Sequence, residues 1–206
     1  MKKLVAAVII VSALILLVSV FTPYLRPRFE EQREVGNEPI ADDRPTVTHT
    51  DPDFTLQHSP DFTVESQADI PWSRLSPPSV AGETYTVLTL PHSFASSTNF
   101  SEASISVGGS PKLDTCLKPE YALSAGTKVE INGIPMMRVT ASDAGAGNRY
   151  EYVSYRFRHR ERCFALEYAL HYTVVENYDP ALGITEFDRR AVIGLLENAV
   201  NTFKLR

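Results

Sequence analysis

From Leu4 to Leu25 the chain runs 22 residues without a charge, and only Ser12, Ser19, Thr22 and Pro23 in that run are not apolar. At ~1.5 Å rise per residue, a helix of that length reaches ~33 Å, enough for a hydrocarbon core of ~30 Å. A helix buried in a soluble core is shorter and carries a polar stripe. A cleaved signal peptide has an apolar stretch of ~7–15 residues followed by small residues. Here the run ends in Val20-Phe21-Thr22-Pro23-Tyr24, with no A-x-A pattern and no following cysteine to be lipidated. The expectation is an uncleaved signal-anchor over residues 1–25, a single transmembrane span. Lys2 and Lys3 on one side nearly balance Arg26, Arg28 and Arg33 on the other. A short head before an apolar run stays in the cytoplasm, so the working topology places the C-terminal part outside the cell membrane.

Beyond the anchor the chain has 18 basic and 25 acidic side chains. That acidity argues against nucleic acid as a partner, because binding phosphates needs a basic face. It also argues against strong adhesion to anionic lipid. Residues 26–53 contain Pro27, Pro39, Pro45 and Pro52, mixed charges and no apolar period, and read as a disordered linker. An extracytoplasmic domain is expected over 54–206.

The β signals there are strong. Phe54-Thr55-Leu56 and Phe62-Thr63-Val64 alternate briefly; Glu83 to Leu90 is β-rich, with Tyr85 and Val87 expected on one face. Ala103 to Val107 leads into Gly108-Gly109-Ser110-Pro111, read as a turn. Thr127 to Ile131 meets Asn132-Gly133, a two-residue hairpin signal, with Ile134 to Thr140 returning. Asp143 to Asn148 reads as a flexible loop. Two long strands follow, Tyr150–Arg158 and Cys163–Val175, joined around Arg160-Glu161. A two-residue turn there pairs Phe157 with Phe164, Tyr155 with Leu166 and Val153 with Tyr168, one apolar face.

The chain closes on a helix. Thr185 is the expected cap, and Phe187, Ala191, Leu195, Ala199 and Phe203 form a stripe at four-residue spacing, with Val192 and Leu196 beside it. The expected fold class is α+β, a mainly antiparallel sheet with the C-terminal helix packed on one face.

Cys116 and Cys163 stand 47 positions apart, too far for a CxxC or zinc-knuckle motif. Outside the cytoplasm such a pair forms a disulfide, and two buried thiols are the alternative. Tyr150, Arg156, Glu167 and His171 fall on the polar face of the two long strands and are the candidate binding residues. The plainer reading is a solvated face stitched by an Arg–Glu pair. His49, Asp51, Asp53, His58 and Asp61 lack the spacing of a zinc or calcium site. No metal or other cofactor is expected, and no complete catalytic motif occurs.

The second half carries a recognisable series: Thr98-Asn99-Phe100-Ser101-Glu102-Ala103, Ile131-Asn132-Gly133, Asp143 to Asn148, Tyr152, Tyr155-Arg156, Cys163, His171-Tyr172-Thr173, Asn177-Tyr178-Asp179, Glu186-Phe187-Asp188 and Phe203-Lys204. Over residues 83–205 it resembles bacterial proteins of the candidate-phylum type, with one N-terminal span and a C-terminal domain. That group brings no catalytic residues to carry over. The strand and terminal-helix layout also resembles the PsbP/Mog1 type of α/β/α sandwich, without its strand-then-Tyr-Pro entry. The resemblance implies a non-enzymatic accessory or binding domain with a possible envelope protein partner. An envelope-acting hydrolase built on Tyr150, Arg156, Glu167 and His171 is the alternative, and a purely structural oligomerising domain is a third reading.

Overall fold

The computed structural model describes residues 46–114, 116–123 and 125–206. The expected anchor at 1–25 and most of the linker at 26–53 lie outside the described residues. Among those described, no helix is long and apolar enough to cross a membrane.

Among the described residues, ten strands and one α-helix build the domain. β1 (Val47–Thr50), β2 (Phe54–His58) and β10 (Lys204–Leu205) make a small antiparallel sheet in the order β1-β2-β10. β3 (Thr63–Ser66), β4 (Glu83–Leu90), β5 (Phe100–Ser110), β6 (Thr127–Ile131), β7 (Ile134–Gly145), β8 (Asn148–His159) and β9 (Arg162–Thr173) make the main sheet. Its order is β3-β4-β5-β9-β8-β7-β6, and every pair is antiparallel. α1 (Arg189–Asn201) is the single α-helix among the described residues. The architecture is therefore α+β with a mainly antiparallel sheet.

Period-2 alternation sorts the main sheet into two faces. On one face Ile105, Val107, Val153, Tyr155, Phe157, Phe164, Leu166, Tyr168 and Leu170 join one core with Val192, Leu195, Leu196, Ala199 and Val200 of α1. Phe54, Leu56 and Phe203 complete it, with Phe54 and Phe203 stacked at 5.4 Å. The β8–β9 register is the expected one: Phe157 opposes Phe164, Tyr155 opposes Leu166 and Val153 opposes Tyr168. Its turn residues Arg160 and Glu161 take φ of 45° and 58°, the left-handed pair of a type I′ hairpin.

Several local expectations are corrected. The helix is capped by Asp188, whose carboxylate accepts from the Ala191 amide at 3.0 Å, whereas Thr185 makes a bridge with Thr98. Phe187 and Phe203, expected in the helical stripe, lie just outside α1 and join the core from there. β1 falls inside the stretch read as linker: its ladder with β2 supplies order that no apolar period signalled. β7 and β8 run straight through the expected loop and turn only at Ala146-Gly147. A bulge between Thr84 and Thr86 puts Tyr85 on the helix side against Phe164, while Val87 opposes Ser106 on the other face.

The glycines at 108 and 109 are strand residues, not a turn. A Cβ on Gly108 would stand 2.1 Å from the Trp72 carbonyl oxygen, and one on Gly109 would stand 2.2 Å from the Tyr85 hydroxyl. The second helical layer of an α/β/α sandwich is absent among the described residues. Two connections, 67–82 and 111–126, pack over part of that face instead.

Candidate functional site

On the face away from the helix, each step along β8 and β9 contributes one cross-strand pair: Arg158 with Cys163, Arg156 with Ala165, Ser154 with Glu167, Tyr152 with Ala169 and Tyr150 with His171. The candidate residues therefore separate. Glu167 and His171 are four residues apart on one strand, ~14 Å at ~3.4 Å per residue. They form two places instead of one constellation.

The first place is buried. The side chains of Arg156 and Glu167 are 0% and 2% exposed, and Arg156 Nη2 lies 3.3 Å from Glu167 Oε1. The expected solvated face is thus corrected here, because the 67–82 connection folds over it. Glu167 accepts from Ser73 Oγ at 2.6 Å, Ser154 Oγ at 2.7 Å and the Arg74 amide at 2.8 Å. Arg156 donates to Ser154 Oγ at 3.1 Å, to Ser76 Oγ at 3.2 Å and to Ser73 Oγ. Trp72 closes the lid, with the Arg156 guanidinium 5.1 Å from its ring centroid. Burial pulls the guanidinium below its ordinary pKa, and Glu167 opposes that shift. An ion pair so enclosed is a positioning device, since taking both charges out of water offsets much of their attraction.

The Cys116–Cys163 disulfide forms, with Cα atoms 5.4 Å apart. Both cysteines are buried, beside Trp72 and Ala165. It tacks the 111–126 connection to β9 at the edge of the ion-pair cluster.

The second place is open. The Tyr150 and His171 rings stack with centroids 4.4 Å apart and planes 14° off parallel. His171 Nε2 donates to Asn148 Oδ1 at 2.9 Å, which fixes the ring. Register places exposed Glu102 beside His171 and exposed Asp143 beside Tyr150, so one row reads Glu102, His171, Tyr150, Asp143 across four strands. The next row carries Ser104, Ala169, Tyr152 and Ala141. Arg74 reaches its edge from the lid, 3.2 Å from Ser104 Oγ. Burial raises the Tyr152 pKa, and Arg74 opposes the rise. The result is a shelf in which Ser104, Ala169 and Ala141 lie among three aromatic rings, two carboxylates and a guanidinium, able to stack on a flat group and hydrogen-bond around it.

Sequence reasoning found Tyr150, Arg156, Glu167 and His171 but missed Ser73, Ser76 and Arg74 as their partners. The single tryptophan, Trp72, reads from the sequence as a core or lid anchor, but nothing in the sequence pairs it with Arg156. A shallow hollow of ≈ 230 Å³ among Thr48, Gln57, Asn132, Thr202 and their neighbours touches neither place. No group of three or more potential metal ligands gathers among the described residues.

No family model matches the chain, and no curated protein matches it. Similar solved structures include a Bacteroides thetaiotaomicron protein, 8% identical with a TM-score of 0.39 over 74% of this chain and 45% of that one. They also include LpqN, described as involved in cell envelope biogenesis of Mycobacterium tuberculosis, 11% identical with a TM-score of 0.38 over 78% of this chain and 89% of that one. The chain thus spans under half the length of the Bacteroides protein. At these TM-scores neither likeness carries an argument about function.

Proposed function

We propose that the protein is a membrane-tethered extracytoplasmic binding or assembly module that presents the Tyr150–His171 shelf to an envelope partner. The observation that carries the placement is the buried Cys116–Cys163 disulfide, since such bonds persist in oxidising compartments. The apolar run Leu4–Leu25 supplies the tether in this reading. The separation of Arg156 and Glu167 from Tyr150 and His171 favours binding over hydrolysis, because the buried pair has no open route to a substrate held on the shelf.

A photo-activatable cross-linker placed at Tyr150 in intact cells tests it, with Arg190 on the opposite face as the comparison. Adducts from position 150 and none from 190 are expected. Equal adducts, or none, would remove the shelf as a binding face.

A further inference from the structure

β6 is the last strand of the main sheet, and its outer edge has no partner strand among the described residues. It is the first arm of a hairpin that returns as β7. Asn132 and Gly133 take φ of 48° and 79°, and Asn132 Nδ2 of the side chain donates to the backbone carbonyls of Asn201 and Phe203, both at 2.8 Å. In a two-residue hairpin the residues flanking the turn form the hydrogen-bonded pair, so Ile131, Val129 and Thr127 bond inward to Ile134, Met136 and Arg138. The amides and carbonyls of Lys128 and Glu130 therefore face outward. Thr127, Lys128 and Glu130 are exposed.

An open edge invites any strand, and a charged residue on it deters most of them. The Lys128-x-Glu130 spacing deters strangers while matching itself. In antiparallel pairing about a two-fold axis at Val129, Lys128 meets the second copy's Glu130, and Glu130 meets the second copy's Lys128. Those are the residues whose backbone groups are free, so the same register supplies about four main-chain hydrogen bonds and two opposite-charge cross-strand pairs. The contact is isologous and closes at two copies. The other edge, β3, lacks this property: pairing centred on Val64 sets Thr63 against Glu65, and pairing centred on Glu65 sets Val64 against Ser66 and the two Glu65 carboxylates against each other.

We propose that β6 is a self-complementary docking edge, on which a second copy of this chain adds its own β6 to continue the sheet. The proposal is independent of what the Tyr150–His171 shelf binds.

The test uses the full-length chain in detergent micelles with Val129→Cys, the one unpaired thiol once Cys116 and Cys163 are joined. Opposed residues of a non-hydrogen-bonded pair stand ~4.5 Å apart at Cα, within disulfide reach. Mild oxidation should give a covalent dimer from Val129→Cys and none from Val64→Cys on β3. Adding Lys128→Glu or Glu130→Lys should lower dimer yield about tenfold, because both cross-strand pairs become repulsive. Mixing the two charge variants should restore it, since each then faces its complement. Sedimentation of the charge variants without any added cysteine should show the same loss and rescue, so that reading does not depend on Val129→Cys folding. No dimer at position 129, equal dimer at position 64, or a dimer indifferent to the charge reversals would overturn the proposal.

Discussion

Removing the Glu167 carboxylate by Glu167→Ala should be among the most damaging single changes in the domain. Glu167 is 2% exposed and accepts from Ser73, Ser154, the Arg74 amide and Arg156. Its loss leaves the Arg156 charge sealed under Trp72 with only serine hydroxyls around it. Stranding one partner of a buried pair costs about 3–5 kcal/mol. Orphaned donors add to that only as far as the lid fails to relax and admit water. For a domain of this size about 4 kcal/mol lowers Tm by roughly 8–16 °C. Replacing both partners, Arg156→Met with Glu167→Leu, removes charge and counter-charge together and should recover about 3 kcal/mol of the loss. Denaturant unfolding followed by fluorescence reads this directly, because Trp72 is the one tryptophan and lies on Arg156. A loss below about 1 kcal/mol for Glu167→Ala, typical of an exposed pair, would refute the reasoning. So would a double variant whose loss equals the sum of the two singles.

Three further outcomes follow from the same structure. Cys163→Ser should cost about 4 kcal/mol, the chain-entropy value for a closed loop of 47 positions, measured against wild type by denaturant midpoint; an unchanged midpoint would contradict it. Gly108→Ala places a methyl against the Trp72 backbone carbonyl, so it should lift the 67–82 lid, shift Trp72 emission and destabilise the domain more than Gly145→Ala, whose added Cβ meets nothing within 4 Å. Burial lowers the His49 pKa below 6.5, with Asp51 opposing and His58 assisting, so the unfolded chain binds the extra proton first. The His49 contribution is therefore complete above pH 6.5 and is lost as pH falls through the lowered folded value. Thermal scans across that range should show His49→Gln flattening the acid-side slope, and an unchanged slope would sink the assignment.

What the sequence displayed and what it hid divide along one physical line. Local alternation and turn chemistry were enough for Phe157 opposite Phe164, for the Asn132-Gly133 hairpin and for the apolar stripe of α1. Long-range contacts were not. Ser73 and Trp72 acquire their roles from Glu167 and Arg156, more than 80 positions away along the chain. Gly108-Gly109 looks like a turn because glycine usually marks one. Here it marks the places where the Trp72 carbonyl and the Tyr85 hydroxyl press on β5. The bulge before Thr86 moved Tyr85 to the helix face, a one-residue shift that no pattern of period 2 reveals. Half of the candidate site was legible as residues on one strand face. The division into a buried pair and an open shelf was not, because the lid that creates it has no period.

The compartment of the domain is the central claim, and protease treatment of intact cells tests it most directly. An extracytoplasmic tether predicts that added protease removes residues 46–206 before lysis, leaving a membrane-protected fragment that begins at the N-terminus. A domain that survives intact until the membrane is broken would contradict the account.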